Sequence, residues 1–286
     1  DNDFIKSNTI TKEMLVEARK KLFKELNTPG TTVCCATCPM MVEKPESEVT
    51  FDKIGFLNIG HFTYCNLRCE YCAYTQENYF VKPPYNCMDI INLFGPEDVY
   101  RCNGYGTAWC DFNGGEPTML PDFDEHLATY ARLGIGISLF TNAVRFSQKV
   151  YDGIKSRAIE FTIVSLDAGT PETFKALKGR DHYQDVVDNL AKYVEAGAKK
   201  YGKVCVKYIF HDKNCSDADI DGFVAAMERV RPFEIWLNMD FYPLSAKYPG
   251  QAEVGVYDYS EHIKAYAKMY LKLKAAGLPA IHYVRD

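Results

Sequence analysis

What this 286-residue sequence lacks already excludes several classes of protein. It contains no run of about 18 apolar residues, so no segment can span a bilayer as a helix. Acidic residues (38) outnumber basic ones (33), and a net charge of −5 gives no broad basic surface for nucleic acid or an acidic membrane. The first residues, DNDFIKSNTITKE, lack the apolar stretch of a signal peptide. We therefore expect a cytoplasmic protein without a nucleic-acid or membrane partner.

Cysteine is plentiful, but its arrangement does not suit a disulfide framework. The 11 cysteines are an odd number, in a chain longer than the small secreted domains that disulfides stabilise. Cys65, Cys69 and Cys72 stand within eight positions, and no fourth cysteine lies beside them. Zinc usually binds four protein ligands, whereas three thiolates match a four-iron cluster with one iron left open. The alternatives are a zinc site completed by a remote cysteine, or three unrelated buried cysteines.

Short runs that favour strands alternate with amphipathic helical stretches beyond about residue 50. The pattern predicts strands at Ile54–Gly60, Ala108–Asn113, Gly136–Phe140, Glu160–Leu166, Val204–Phe210 and Glu234–Asn238. It predicts helices at Asp122–Leu133, Gln148–Ser156, Tyr183–Glu195, Asp217–Arg229 and Tyr259–Ala275. This alternation is typical of parallel β–α units, so we expect an α/β fold, a partial (β/α)6 TIM-like barrel, over residues 51–286.

Residues 1–50 are predicted to form a separate N-terminal extension. A helix over 10–26 would place four apolar residues on one face: Met14, Ala18, Leu22 and Leu26. The following Pro-rich loop carries Cys34, Cys35 and Cys38.

Polar or conformationally special residues follow the predicted strands. The first strand leads to the three cysteines, the second to the sequence NGGEP at residues 113–117, and the third to Asn142. Ser165 and Asp167 end the fourth strand, and the fifth carries Lys207. The carboxyl ends of the strands of a parallel barrel meet at one mouth, where active sites lie. We therefore expect these residues to form one site.

The spacing Cys-x3-Cys-x2-Cys, with Tyr71 before the last cysteine, resembles the signature of the radical S-adenosylmethionine (radical SAM) superfamily. The resemblance covers about residues 51–240. It implies an oxygen-sensitive [4Fe-4S] cluster on Cys65, Cys69 and Cys72, whose open iron binds S-adenosylmethionine (SAM). It also implies that one electron cleaves SAM to methionine and a 5′-deoxyadenosyl radical, which then takes hydrogen from a substrate.

The resemblance further implies a set of SAM-binding residues: Tyr71, Gly114, Gly115, Glu116, Asn142, Ser165, Asp167 and Lys207. The Gly-Gly-Glu segment would hold the amino group of SAM, the fourth strand its ribose hydroxyls or carboxylate, and the lysine its carboxylate. The alternatives are a plain turn for the segment, helix caps for Asn142 and Asp167, and a solvated Lys207. The sequence assigns no catalytic residue.

The remaining cysteines leave a second metal site open as a possibility. Cys35 and Cys38 form a Cys-x2-Cys pair, and the ligands could be completed by Cys87, Cys102 or Cys110. Surface or buried thiols are the alternative. No cysteine follows Cys215, so the cysteine-rich C-terminal module common in peptide-modifying members of the family is missing from this sequence.

The predicted function is therefore that of a radical SAM enzyme with an unidentified substrate. A sugar or glycan precursor, a natural product or a peptide are the candidates, with flavodoxin or ferredoxin as electron donor. One alternative is an activase for a glycyl radical enzyme, which would need a partner protein. Another is a non-catalytic iron–sulfur sensor or scaffold, for which a missing Glu116 would be expected.

Overall fold

The computed structural model of the chain describes residues 9–31, 45–60, 62–72, 86–100, 108–197, 202–239 and 258–282. Its centre is a sheet of seven parallel strands that follow one another in chain order. The strands are β1 (Phe56–Ile59), β2 (Ala108–Phe112), β3 (Ile135–Phe140), β4 (Phe161–Ser165), β5 (Lys203–Phe210), β6 (Glu234–Met239) and β7 (Ala280–His282). The predicted partial barrel is confirmed, with a seventh strand that the sequence pattern did not indicate.

Helices connect most of these strands. They are α1 (Lys12–Leu26), α2 (Cys87–Ile91), α3 (Phe123–Leu133), α4 (Gln148–Ser156), α5 (Pro171–Lys178), α6 (Tyr183–Gly197), α7 (Asp217–Val230) and α8 (Ser260–Ala275). The five helices predicted between the strands are present, with ends that differ by two residues at most. None of the described helices is long and apolar enough to cross a membrane.

Two short helices, α2 and α5, were not predicted, and α5 proves important for the site. Thr170 begins α5, because its hydroxyl accepts a hydrogen bond from the Thr173 N–H, and Pro171 occupies the first turn. Gly179 ends it with a φ of 70°, a left-handed conformation that glycine adopts without strain.

The alternation of side chains along the strands gives the sheet two different faces. In β5, Val206, Tyr208 and Phe210 are buried against the helices, and the Tyr208 ring lies 4.7 Å from that of Phe223 in α7. Lys207 points to the opposite, concave face, where its register partner is Ser165 of β4. The helix-facing side therefore forms the main core, and the concave face carries half-buried Lys207 and Ser165 as well as buried Ile163 and Cys205.

The predicted N-terminal helix α1 is present, and it contacts the barrel. Leu15 packs against the core, Arg19 donates to the backbone carbonyls of Phe51 (2.9 Å) and Lys53 (3.0 Å), and the Phe23 ring lies 5.5 Å from that of Phe51. Leu22 of the predicted face is 40% exposed. The contact is therefore made by an aliphatic side chain, a guanidinium group and an aromatic ring.

Candidate active site

The cysteine-bearing segment 62–72 follows β1 and lies against the segment that follows β2. The N–H of Gly115 donates to the carbonyl oxygen of Phe62 (2.9 Å), and the N–H of Glu116 donates to that of Tyr64 (2.5 Å). A Cβ on Gly115 would lie 2.1 Å from the Tyr64 oxygen. Glycine is therefore required there by the close approach of two backbones.

Glu116 is a buried carboxylate at the centre of a hydrogen-bond network. Its Oε1 accepts from the hydroxyls of Thr118 (2.6 Å) and Thr141 (2.7 Å), and its Oε2 accepts from the Asn142 N–H (2.7 Å). Burial raises the pKa of Glu116, and these hydrogen bonds oppose the shift. Each carboxylate oxygen has two lone pairs, so Oε2 keeps an acceptor site beyond its contact with Asn142.

Asn142 joins this carboxylate to the cysteine loop. Its side-chain Nδ2 donates to Asn66 Oδ1 (2.6 Å) and lies 3.6 Å from the Sγ of Cys65. Helix α4 begins after Ser147, so Asn142 is not its N-cap. Asn66 was not predicted as a site residue, because nothing in the sequence shows that the loop would meet the end of β3.

The three thiols of the loop are half-buried and free. Burial raises the pKa of Cys65, and it raises that of Cys69 to about 11 despite the opposing charge of Lys178. Leu67 donates its N–H to the Cys65 sulfur (3.4 Å). Among the described residues no group of three His, Cys, Asp or Glu side chains converges as a single-ion site requires. An iron–sulfur cluster instead binds its thiolates on different irons, and a donor set of thiols alone suits it.

Asp167 and Tyr71, both predicted to bind SAM, meet each other below the loop. The Tyr71 hydroxyl donates to Asp167 Oδ2, and Oδ1 accepts from the N–H of Ile209 (2.7 Å). Lys178, which was not predicted as a site residue, donates to the same Oδ2 (2.5 Å). Thr170, not Asp167, caps α5. Asp167 is fully buried with both oxygens engaged, so its predicted contact with SAM stays a prediction.

Ser165 and Lys207 lie side by side on the concave face. They are register partners on β4 and β5, and both are half-buried. Trp236 of β6 is the next partner in the same row and was not predicted. The strand ends therefore bring the predicted residues to one edge of the sheet, as a parallel barrel requires.

Comparison with known protein families identifies the group to which this site belongs. The model of the radical SAM superfamily matches residues 59–219, which is more than half of the chain. The chain belongs to the radical SAM superfamily. The match includes the cysteine loop and the ends of β2 to β5, so the predicted family is confirmed.

Two curated relatives and one solved structure illustrate the similarity. GTP 3′,8-cyclase 1 of Mycobacterium tuberculosis is 30% identical over 150 residues, which cover 50% of this chain and 41% of the relative. GTP 3′,8-cyclase of Haemophilus influenzae is 28% identical over 185 residues, covering 63% and 51%. The chain thus spans about half the length of these relatives.

The solved structure is Streptococcus suis SuiB bound to the precursor peptide SuiA. It superimposes with a TM-score of 0.60 at 15% identity, covering 94% of this chain and 62% of that one. At this identity the likeness concerns the fold alone.

The radical SAM family implies a [4Fe-4S] cluster and SAM, and the thiol-only donor set on the loop fits such a cluster. The second metal site is not supported in the same way. Cys34, Cys35, Cys38 and Cys102 lie outside the described residues.

Cys87 and Cys110 lie in the core between the sheet and the helices. The Cys87 sulfur is 3.6 Å from His126 Nε2, and His126 Nδ1 is 2.8 Å from the Tyr130 hydroxyl. Burial raises the pKa of Cys87 to about 12 and raises that of Cys110 further above its ordinary value. Both thiols are buried among core side chains, which favours the structural alternative for them.

Proposed function

We propose that this radical SAM protein cleaves SAM reductively and passes the radical to a small-molecule or peptide substrate. The observation that carries the proposal is the double contact of Asn142. One residue binds the buried Glu116 carboxylate through its N–H and lies 3.6 Å from the Cys65 sulfur through its side chain. Asn142 thus contacts both Cys65, a predicted cluster ligand, and Glu116, the predicted ligand of the SAM amino group.

Each part of the site has a chemical task in this proposal. When bound, the cluster supplies one electron that splits SAM into methionine and a 5′-deoxyadenosyl radical. Cys65, Cys69 and Cys72 would hold the cluster. The free acceptor site of Glu116 Oε2 would bind the SAM ammonium group, a charge-assisted hydrogen bond. The loop and the concave face would shield the reaction from water.

Ser165 and Lys207 would bind the remaining polar groups of SAM. A hydroxyl suits the ribose or carboxylate oxygens, and an ammonium group suits the carboxylate. The two residues are register partners on adjacent strands, so their side chains lie next to each other on the same face of the sheet. Bound SAM would therefore extend along the carboxyl ends of the strands.

GTP is the first substrate to test. The relatives named GTP 3′,8-cyclase are similar to about half or more of this chain, and Lys207 and Trp236 share a row of the concave face. A cation beside an indole suits an anionic ligand with an aromatic base. A sugar precursor or a peptide is the alternative substrate class.

The experiment begins with anaerobic reconstitution. We expect about four irons and four sulfides per chain, and formation of 5′-deoxyadenosine from SAM and dithionite, measured by mass spectrometry. Replacing Cys65, Cys69 and Cys72 together by Ala should remove the iron and the product. Cys215→Ala is the matched control, because Cys215 is also half-buried but lies outside the loop. Full iron content in the triple variant would overturn the assignment.

The same assay separates the alternatives. A sensor or scaffold would bind the cluster but give no deoxyadenosine. If GTP is a substrate, it should raise the rate of deoxyadenosine formation above the rate without substrate, and GTP should itself be consumed. If GTP has no effect, the sugar and peptide classes are tested next with deuterated substrate, whose label should appear in deoxyadenosine. An activase would show label transfer only with a partner protein.

A further inference from the structure

Below the cysteine loop lies a fully buried ion pair that the proposed chemistry does not use. The side chains of Lys178 and Asp167 are 3% and 0% exposed, and the Lys178 ammonium donates to Asp167 Oδ2 at 2.5 Å. Both charges had to leave water to occupy this position, which is costly unless each is well paired. A lysine at the end of a short helix could have extended into solvent, so its burial toward the loop calls for an explanation.

The ion pair is connected directly to the cysteine loop. The Lys178 ammonium also donates to the Tyr71 hydroxyl and lies 5.0 Å from the centre of that ring. Tyr71 stands between Cys69 and Cys72, and its hydroxyl donates a hydrogen bond to Asp167 Oδ2. The residue between two of the cysteines is thus held by both members of the buried pair.

The backbone of the loop is held by the same helix end. The N–H groups of Arg68 and Glu70 donate to the carbonyl oxygens of Lys178 and Leu177, each at 2.9 Å. These are two of the carbonyls that a helix leaves without partners at its C-terminus. A Cβ on Gly179 would lie 2.8 Å from the Arg68 carbonyl oxygen, so the loop and the helix end are in close contact.

Asp167 is itself fixed, so that the ion pair forms a rigid base. Its Oδ1 accepts from the Ile209 N–H (2.7 Å), and its carbonyl oxygen accepts from Asn214 Nδ2 (2.9 Å). Its φ of 53° is unusual for a residue other than glycine. Lys178 therefore cannot move away from the loop without leaving a buried carboxylate without its counter-charge.

The Lys178 ammonium lies against the loop that carries the three thiols. It donates to the hydroxyl of Tyr71, which stands two residues after Cys69 and one residue before Cys72. A positive charge this close to the loop favours negative charge on the sulfurs, and it therefore also favours the reduced cluster, which carries one more negative charge.

We propose that Lys178 is a positioning residue for the cysteine loop, and that its ammonium group raises the reduction potential of the cluster while Asp167 lowers it. The inference rests on the proposed function only in requiring the cluster on this loop. It assigns to Lys178 no contact with SAM or substrate.

The test measures the reduction potential of the reconstituted cluster without SAM, by a redox titration followed by electron paramagnetic resonance. Lys178→Met keeps the length of the side chain and removes its charge. At a fixed potential, its ratio of reduced to oxidised cluster should fall about tenfold, equal to about 59 mV for one electron. Asp167→Asn should shift the ratio in the opposite direction. Lys178→Arg should stay near the wild type, as should Lys175→Met, which alters an exposed lysine one turn earlier.

The opposite signs separate charge from structural damage, since a disturbed loop gives no reason for shifts in two directions. If Lys178→Met cannot hold iron, Asp167→Asn and Lys178→Arg still decide the question. An unchanged potential in Asp167→Asn, or equal shifts in Lys178→Met and Lys175→Met, would overturn the inference. A wild-type protein that holds no cluster would instead overturn the proposed function.

Discussion

Glu116 allows the proposed SAM site to be tested separately from the stability of the fold. Glutamine has nearly the same shape, and its carbonyl oxygen can still accept from the Asn142 N–H. The hydroxyls of Thr118 and Thr141 can rotate to accept from the new NH2 group, because a hydroxyl is both donor and acceptor. We therefore expect Glu116→Gln to fold and to retain the cluster.

The expected loss in Glu116→Gln concerns SAM. A hydrogen bond to a charged group contributes roughly 1.5–3 kcal/mol, so SAM should bind about tenfold to a hundredfold more weakly. Isothermal titration calorimetry on the reconstituted protein, under anaerobic conditions, measures this change. Glu160→Gln serves as the control, because Glu160 is a half-buried carboxylate at the other end of β4.

Glu116→Ala should have a second effect that the glutamine variant lacks. It leaves the Thr141 hydroxyl and the Asn142 N–H without their partner, and a buried group left unpaired costs about 1–3 kcal/mol. Because Asn142 also contacts Cys65, iron content should fall together with the free energy of unfolding. An unchanged SAM affinity in Glu116→Gln, with normal iron content, would refute the assigned role of the carboxylate.

Two further predictions concern the loop junction and the N-terminal helix. Gly115→Ala should lose iron and stability, because its Cβ would lie 2.1 Å from the Tyr64 oxygen. The control is Gly134→Ala, whose Cβ meets nothing within 4 Å and which should cost only about 1 kcal/mol of stability for its left-handed backbone. Iron analysis measures the bound iron of both variants, and urea unfolding measures their stability. The hydrogen bond from Lys12 lowers the pKa of Asp98 below 3.8, so its stabilising effect is present above that pH and is lost as the pH falls through the lowered value. Asp98→Asn should therefore lose less stability than the wild type on acidification below about pH 4, in urea unfolding of the metal-free protein, and equal slopes would contradict this.

Six of the seven strands and most helices could be predicted because their patterns are local. Strands of four to eight residues, bounded by polar residues, alternate with helical periodicity along the chain. The Gly-Gly-Glu segment was predicted to hold the amino group of SAM, and that role stays a prediction; the structure shows its backbone close to that of the cysteine loop. Its partner is only about 50 residues away, and the parallel arrangement of β1 and β2 fixes where the two segments meet.

Lys178 could not be predicted in the same way. Its contacts with Tyr71 join residues separated by 107 positions, and nothing in the sequence near either one indicates the pairing. A lysine in the last turn of a helix is also expected for a simpler reason, since it interacts favourably with the helix dipole. Only the close packing of the loop on the end of α5 turns this ordinary lysine into a buried one.

The cysteine loop is therefore held at its two ends by groups of opposite charge. The Cys65 end contacts Asn142, which binds the buried Glu116 carboxylate, and the other end contacts the Lys178 ammonium through Tyr71. An acceptor at the first end suits the binding of a cationic amino group. A cation at the second end suits thiolates that must accept an additional negative charge when the cluster is reduced. Because no described hydrogen bond joins the two groups directly, we expect SAM affinity to depend on Glu116 and the reduction potential to depend on Lys178, which contact different parts of the loop.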